Sequence, residues 1–258
     1  MAKVKVLRFD PSVDGEPYYS DFEVPATEGM SILQGLHYIR EHFEPISYEY
    51  SCRATSCGMC GMSVNGTPVF ACCTPLEDDE EYTIEPLDRY PVIKDLVVDR
   101  SAVERRIHHV MPQFARASEM TMPAPVSEDS YMSVSMLQQC RDCGICMSVC
   151  PVVEVAGTDE YSGPEVMVKI AARYFDDREG LSAMRLGQAV GEGLFKCLEC
   201  GTCTSVCPKG ELIKVQDFPY SFIDHVRHFQ QMKEDARAAG LEPIEPEEPK
   251  PLDDYFCI

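Results

Sequence analysis

Apolar and polar residues alternate at once: the run KVKVLRFD at 3–10 reads as a strand with one buried face. Asp14-Gly15 is a turn signal, and YYSDFEV before Pro25 is a second strand, so the chain opens with a hairpin. The period then changes. Ser31 and Gln34 stand at capping-box spacing, and Ile32, Leu33, Leu36, Ile39 and Phe43 recur at helical intervals until Pro45. One amphipathic helix is therefore expected across the hairpin. Further on, MSVNGTPVF carries an Asn-Gly turn between two short strand-like runs, and EYTIEPL adds another strand. Residues 1–105 are expected to form a small mixed sheet covered by a helix.

From Pro112 to Ser135 no period is sustained, and the stretch is rich in Ser, Pro and Met, which predicts a linker. Helical signals follow. Pro164 stands at a first helical position with Val166, Met167, Ile170 and Tyr174 on one face, and a second helix is expected from about Pro219 to Ala239. Residues 106–240 are expected to form a second, helical domain. The last stretch, 241–258, is acidic and Pro-rich and is expected to lie extended or disordered.

Charge narrows the function. A net charge of −20 argues against a surface that neutralises phosphate, so no nucleic-acid partner is expected. No run is long and apolar enough to span a membrane, and the first residues show no signal-peptide core, so a reducing compartment is expected. Fourteen cysteines in such a chain point to metal ligation before disulfides.

Their spacing is specific. Cys52, Cys57 and Cys60, followed by Cys72, have the plant-type [2Fe-2S] pattern, with Gly58 and Gly61 suited to backbone approach toward sulfide. Cys73 adjoins Cys72 and is expected to be a small buried side chain or a free thiol. The runs CRDCGICMSVCP at 140–151 and CLECGTCTSVCP at 197–208 repeat the bacterial ferredoxin pattern, in which the fourth cysteine belongs to the other cluster. Cys140, Cys143, Cys146 and Cys207 are therefore expected as one set, and Cys150, Cys197, Cys200 and Cys203 as the other. A structural zinc site is the alternative chemistry for CxxC pairs.

Together, SCRATSCGMCGMSVNGTPVFAC at 51–72, PVIKDLVVD at 91–99 and the two cubane motifs resemble the iron-sulfur subunit of the succinate dehydrogenase and fumarate reductase family. Cys60 resembles the fumarate reductase form. The resemblance implies an α+β chain: an N-terminal β-grasp, plant-type ferredoxin-like domain and a C-terminal α-helical ferredoxin domain. It also implies a [2Fe-2S] cluster, a [4Fe-4S] cluster and a third cluster. The expected partners are a flavoprotein subunit that carries covalent FAD and the dicarboxylate site, and a membrane anchor with a quinone site. The chain would then sit at the cytoplasmic face of the cell membrane as a peripheral electron-transfer subunit, with no catalytic residue of its own. In the family's quinone-using members a Trp follows the first cubane motif, and a His follows the first cysteine of the second. Here Pro151 is followed by VVEV, the chain has no Trp, and Leu198 replaces the His. Most members also lack a cysteine at the position of Cys200 and hold [3Fe-4S] there; four cysteines here predict [4Fe-4S], with [3Fe-4S] the alternative.

Two rival functions use the same residues. One is the iron-sulfur subunit of a related flavin-dependent reductase of the thiol-linked fumarate reductase or heterodisulfide reductase type, and the other is a non-redox, zinc-stapled interaction module. Solvated or capping roles are expected for His108, His109, His225 and His228, docking contacts for Met120, Met122, Met132 and Met136, and solvated faces for the acidic runs at 77–81 and 245–248.

Overall fold

The computed structural model describes residues 1–116, 124–211 and 223–243. In its N-terminal part, β1 (Ala2–Arg8) pairs antiparallel with β2 (Tyr18–Val24), which is the expected hairpin. Helix α1 (Ile32–His42) follows, and its Ser31 and Gln34 complete the capping box. Strands β3 (Gly61–Val64) and β4 (Thr67–Phe70) turn at Asn65-Gly66, and β5 (Glu81–Glu85) lies parallel to β1 and antiparallel to β3. The resulting order is β2-β1-β5-β3-β4. Alternation decides which face is buried: Ala2, Val4 and Val6 point inward, where Leu33, Leu36 and Ile39 of α1 cover them. Each such valine, leucine or isoleucine side chain contributes roughly 1.5–3 kcal/mol by leaving water.

Arg8 continues the inward register of β1 and is buried as well. Its charge is met by Asp95, whose carboxylate accepts from Arg8 Nε at 3.0 Å, from the Phe9 amide at 3.2 Å and from the Ser47 amide at 2.9 Å. Glu44 pairs with the same guanidinium from the more exposed side. Asp95 lies in the turn between β6 (Val92–Lys94) and β7 (Val97–Val98), so this ion pair ties that ribbon to the first strand.

The rest of the described chain is helical: α2 (Ser101–His109), α3 (Glu128–Leu137), the short α4 (Ile145–Ser148), α5 (Pro151–Glu160), α6 (Gly163–Tyr174), α7 (Ser182–Gly191), a 3-10 turn at Leu194–Lys196, α8 (Thr202–Ser205), α9 (Pro208–Glu211) and α10 (His225–Ala238). Val166, Met167 and Ile170 of α6 are the centre of this second core, against Leu186 and Ala189 of α7 and Phe229 and Met232 of α10. Val103 of α2 and Val110 belong to it too, so α2 packs with the helical part.

Four expectations need correction. The linker is shorter than its composition suggests, because Ser127 caps α3 by accepting from the Ser130 amide, and Val134, Met136 and Leu137 anchor that helix in the interior. Met136 is therefore a packing residue and Met132 is half-buried, while Met120 and Met122 lie outside the described residues. Helix α10 starts at His225, where Asp224 accepts from the Arg227 amide at 3.1 Å; the stretch from Pro219 to 222 is outside the described residues. His225 and His228 are buried rather than solvated, since α10 turns them with Phe229 toward the core; burial holds the pKa of each below its usual value. His108, His109 and the run at 77–81 are exposed as expected, and the tail from 244 onward, including the run at 245–248, is not among the described residues.

Replacing Asp95 with Ala should cost about 3–5 kcal/mol of unfolding free energy in urea, because it removes the buried partner of Arg8 and leaves the Phe9 and Ser47 amides without their acceptor. Glu44→Ala, at the wetter end of the same pair, should cost about 1 kcal/mol or less.

Candidate iron-sulfur sites

Local pairing brings the first cysteine set together. Gly61 faces Phe70 across the β3–β4 ladder, and the Ala71 amide donates to the Cys60 carbonyl at 3.0 Å, so Cys60 and Cys72 flank the same end of the hairpin. Cys52 and Cys57 come from the preceding loop, in which Arg53 and Thr55 adopt left-handed conformations and fold amides inward. The Cys52 sulfur accepts from the amides of Ala54 at 3.3 Å, Ser56 at 3.3 Å and Cys57 at 3.2 Å. Three amides on one sulfur stabilise a thiolate: the Ala54 amide, then the Cys57 thiol, draw the Cys52 pKa down to about 7. Cys60 is buried, which pushes its thiol up to about 12. The loop thus presents an exposed Cys52, half-buried Cys57 and Cys72 and a buried Cys60, an arrangement suited to a small anionic cluster at the surface. Cys73 is exposed and its thiol donates to the Phe70 carbonyl at 3.4 Å.

Two cavities in the helical part collect the remaining eight cysteines of the motifs. Cys140, Cys143, Cys146 and Cys207 line one, with Phe70, Glu165, Pro208 and His225. Cys150, Cys197, Cys200 and Cys203 line the other, with Pro151, Tyr161 and Pro164. The grouping is the crossed one expected from the motifs. Burial raises the thiols of Cys140 and Cys146 far above the usual range and those of Cys143 and Cys203 to about 12. Such thiols ionise only against a bound metal, so loading either cavity releases protons. Cys200 differs: it is exposed, and the hydroxyl of Thr202 lowers its pKa.

The two motifs share one backbone. Asp142 and Glu199 have φ of 52° and 56°, and Gly144 and Gly201 have φ of 78° and 80° as they start α4 and α8. Each strained acidic residue is held by a lysine from a long helix. Lys169 Nζ of α6 lies 2.5 Å from Asp142, and Lys233 Nζ of α10 lies 2.6 Å from Glu199 and donates to the Cys197 carbonyl at 2.7 Å. Sequence reasoning did not single out these lysines, though an acidic residue two places after each first cysteine was the available signal. Nor did it find Glu165, whose side chain lines the first cavity; burial pushes its carboxyl up to about 7.

Between the N-terminal loop and the first cavity there is direct contact. A Cβ on Gly58 (φ +77°) would stand 2.5 Å from the Arg141 carbonyl and 3.1 Å from Cys143 Cβ, so only glycine admits this approach. Arg100 bridges the same gap, donating to the Asp142 carbonyl at 3.2 Å and to Glu49 at 3.1 Å. The second cavity is lined at its outer side by the exposed Cys200 and Leu198.

Comparison with known proteins identifies the families to which the two parts of the chain are similar. Residues 3–105 match the family described as a 2Fe-2S iron-sulfur cluster binding domain, and residues 136–211 match a 4Fe-4S dicluster domain. These descriptions displace the zinc reading. The chain is 35% identical over 226 residues to a fumarate reductase iron-sulfur subunit of Haemophilus influenzae, covering 80% of this chain and 86% of that one. It is 38% identical over 213 residues to a fumarate reductase (CoM/CoB) subunit of Methanothermobacter marburgensis, covering 81% of this chain but only 41% of the relative. In structure it is similar to a chain of the Mycobacterium smegmatis Sdh1 complex in the apo form, with a TM-score of 0.78 at 26% identity over 95% of this chain and 98% of the other.

Proposed function

Because the chain belongs to the family of fumarate reductase and succinate dehydrogenase iron-sulfur subunits, we propose that it relays single electrons between an FAD-bearing flavoprotein subunit and a quinone site in a membrane anchor subunit. The observation that carries this reading is the contact of the N-terminal cysteine loop, through Gly58, with Cys143 of the first cavity, followed by the crossed cysteines that join the first cavity to the second. Cys52, Cys57, Cys60 and Cys72 hold the [2Fe-2S] cluster in this reading. Cys140, Cys143, Cys146 and Cys207 hold a [4Fe-4S] cluster, and Cys150, Cys197, Cys200 and Cys203 hold the third. When bound, these centres accept one electron at a time where a flavin exchanges two. The protein supplies thiolates, amide donors and fixed approach, and substrate chemistry belongs to the flavoprotein partner.

Orientation follows from exposure. The Cys52 loop is the wet end that a flavoprotein can approach, and the exposed Leu198 at the second cavity gives the other end an apolar contact for an anchor. No described helix is long and apolar enough to cross a membrane, so attachment at the cytoplasmic face would run through that anchor. The likeness to the CoM/CoB-type relative supports a second reading, in which the same electron path serves a thiol-linked reductase whose further cysteine-rich part lies elsewhere. The subunits that co-purify with the chain separate the two.

Cys200 sets the third cluster's composition. It lies on the cavity with Cys150, Cys197 and Cys203, and a fourth thiolate retains the corner iron that a three-cysteine site loses.

Three outcomes are expected. Cys60→Ala should abolish or convert the [2Fe-2S] electron paramagnetic resonance signal while the cubane signals persist; an unchanged rhombic signal would remove Cys60 from the ligand set. Expressed alone, the chain should take electrons from a chemical reductant yet turn over neither succinate nor fumarate, and turnover by a flavin-free preparation would overturn the relay. Anaerobically prepared protein should lack the near-isotropic signal of oxidised [3Fe-4S]; a stoichiometric signal of that kind would show that Cys200 binds no iron.

A further inference from the structure

Tyr161 is a fully buried phenol beside the second cavity. It caps the C-terminal end of α5, is 1% exposed, and lines the cavity together with Cys150, Cys197, Cys200 and Cys203. A buried hydroxyl requires a partner. Of the polar side chains that share the cavity lining with it, Glu199 is taken by Lys233 and Gln230, which leaves the cysteine sulfurs, and Cys197 is the one whose segment packs against Tyr161.

The backbone fixes this meeting. Gly193 (φ +87°) packs directly on the Glu160 carbonyl and on Tyr161 Cα, leaving no room for a side chain. The Ser162 amide donates to the Glu192 carbonyl at 3.1 Å, and the Cys197 amide donates to the Leu194 carbonyl at 3.2 Å. The segment that carries Cys197 is thereby tied, turn by turn, to the segment that carries Tyr161. Lys233 holds the Cys197 carbonyl from the other side. Tyr90, a half-buried phenol beside the first cubane motif, directs its hydroxyl to the Gly144 carbonyl at 3.4 Å instead of to sulfur.

We propose that the Tyr161 hydroxyl donates a hydrogen bond to the Cys197 sulfur and raises the reduction potential of the third cluster above the value its four cysteines alone would set. The inference rests on the reading that this cavity holds an iron-sulfur cluster. Reduction adds one negative charge to the cluster and its thiolates, so a fixed donor stabilises the reduced form more than the oxidised one. A phenol is protonated at neutral pH, so it is a donor in both oxidation states of the cluster and no proton is transferred. Tyr161 thus opposes Cys200, whose thiolate adds negative charge and lowers the potential. It is a positioning residue for electron transfer, because it acts on the cluster through Cys197.

Redox titration of the full chain, followed by electron paramagnetic resonance under anaerobic conditions, tests this. Tyr161→Phe keeps the ring and removes the donor; the third cluster's midpoint should move to a more negative potential, while the other two clusters stay in place. Tyr90→Phe should leave the third cluster unmoved. An unchanged third midpoint in Tyr161→Phe, or an equal shift in Tyr90→Phe, would overturn the proposal. Should the Phe variant fail to retain the cluster, fluorotyrosine placed at 161 decides, because its hydroxyl is the stronger donor: a more positive midpoint supports the bond and an unchanged one refutes it. Absence of any third-cluster signal in the unaltered protein would sink the ligand reading itself, and the hydrogen bond with it.

Discussion

Each of the two helical cavities takes three cysteines from one motif and its fourth from the other, and this exchange is the constraint on which the rest of the molecule depends. Cys207 must return to Cys140, Cys143 and Cys146, while Cys150 must reach forward to Cys197, Cys200 and Cys203. Two loops distant in sequence are thereby joined at two points. The long helices α6, α7 and α10 are the frame that keeps the loops in register, with a core of Val166, Met167, Ile170 and Phe229 between them. Filling the cavities would stabilise the folded state further, since ligands far apart in the unfolded chain converge only here.

The electrostatic design follows from burial. A buried thiol resists ionisation, as Cys140, Cys146 and Cys143 do, and Arg141 and Lys209 stand with them on the lining of the first cavity. Further positive charge is placed one step back. Lys169 and Lys233 bind the strained acidic residues of the two loops, and Arg100 spans the gap to the N-terminal loop.

Close packing between the two halves serves the same end. Gly58 and Gly61 let the Cys52–Cys60 loop lie against the backbone at Arg141 and Cys143, and Ile145 inserts into the N-terminal core. Arg89 adds a hydrogen bond to the Ser148 carbonyl and an ion pair to Glu154. The sheet is thus held as the support of one end of an electron path, and its own stability depends on the buried Arg8–Asp95 pair that ties the β6–β7 ribbon to β1.

The sequence by itself determined the chemistry, because ligand spacing is a local property: a loop of a few residues wraps a cluster, and the cysteine intervals record that directly. It likewise determined the first hairpin, the capped helix α1 and the Asn65-Gly66 turn, each encoded by neighbouring residues. What only the tertiary structure decided depends on long-range packing. Ser- and Met-rich composition concealed α3, whose helicity is settled by Val134, Met136 and Leu137 meeting the interior. His225 and His228 looked solvated because a polar side chain carries no mark of the core that will cover it. The placing of Glu165 and Tyr161 on the two cavities, and of Lys169 and Lys233 on the loops, was equally hidden. Those contacts join α5, α6 and α10 to motifs tens of residues away, and no periodicity along the chain encodes which helix face will meet which loop.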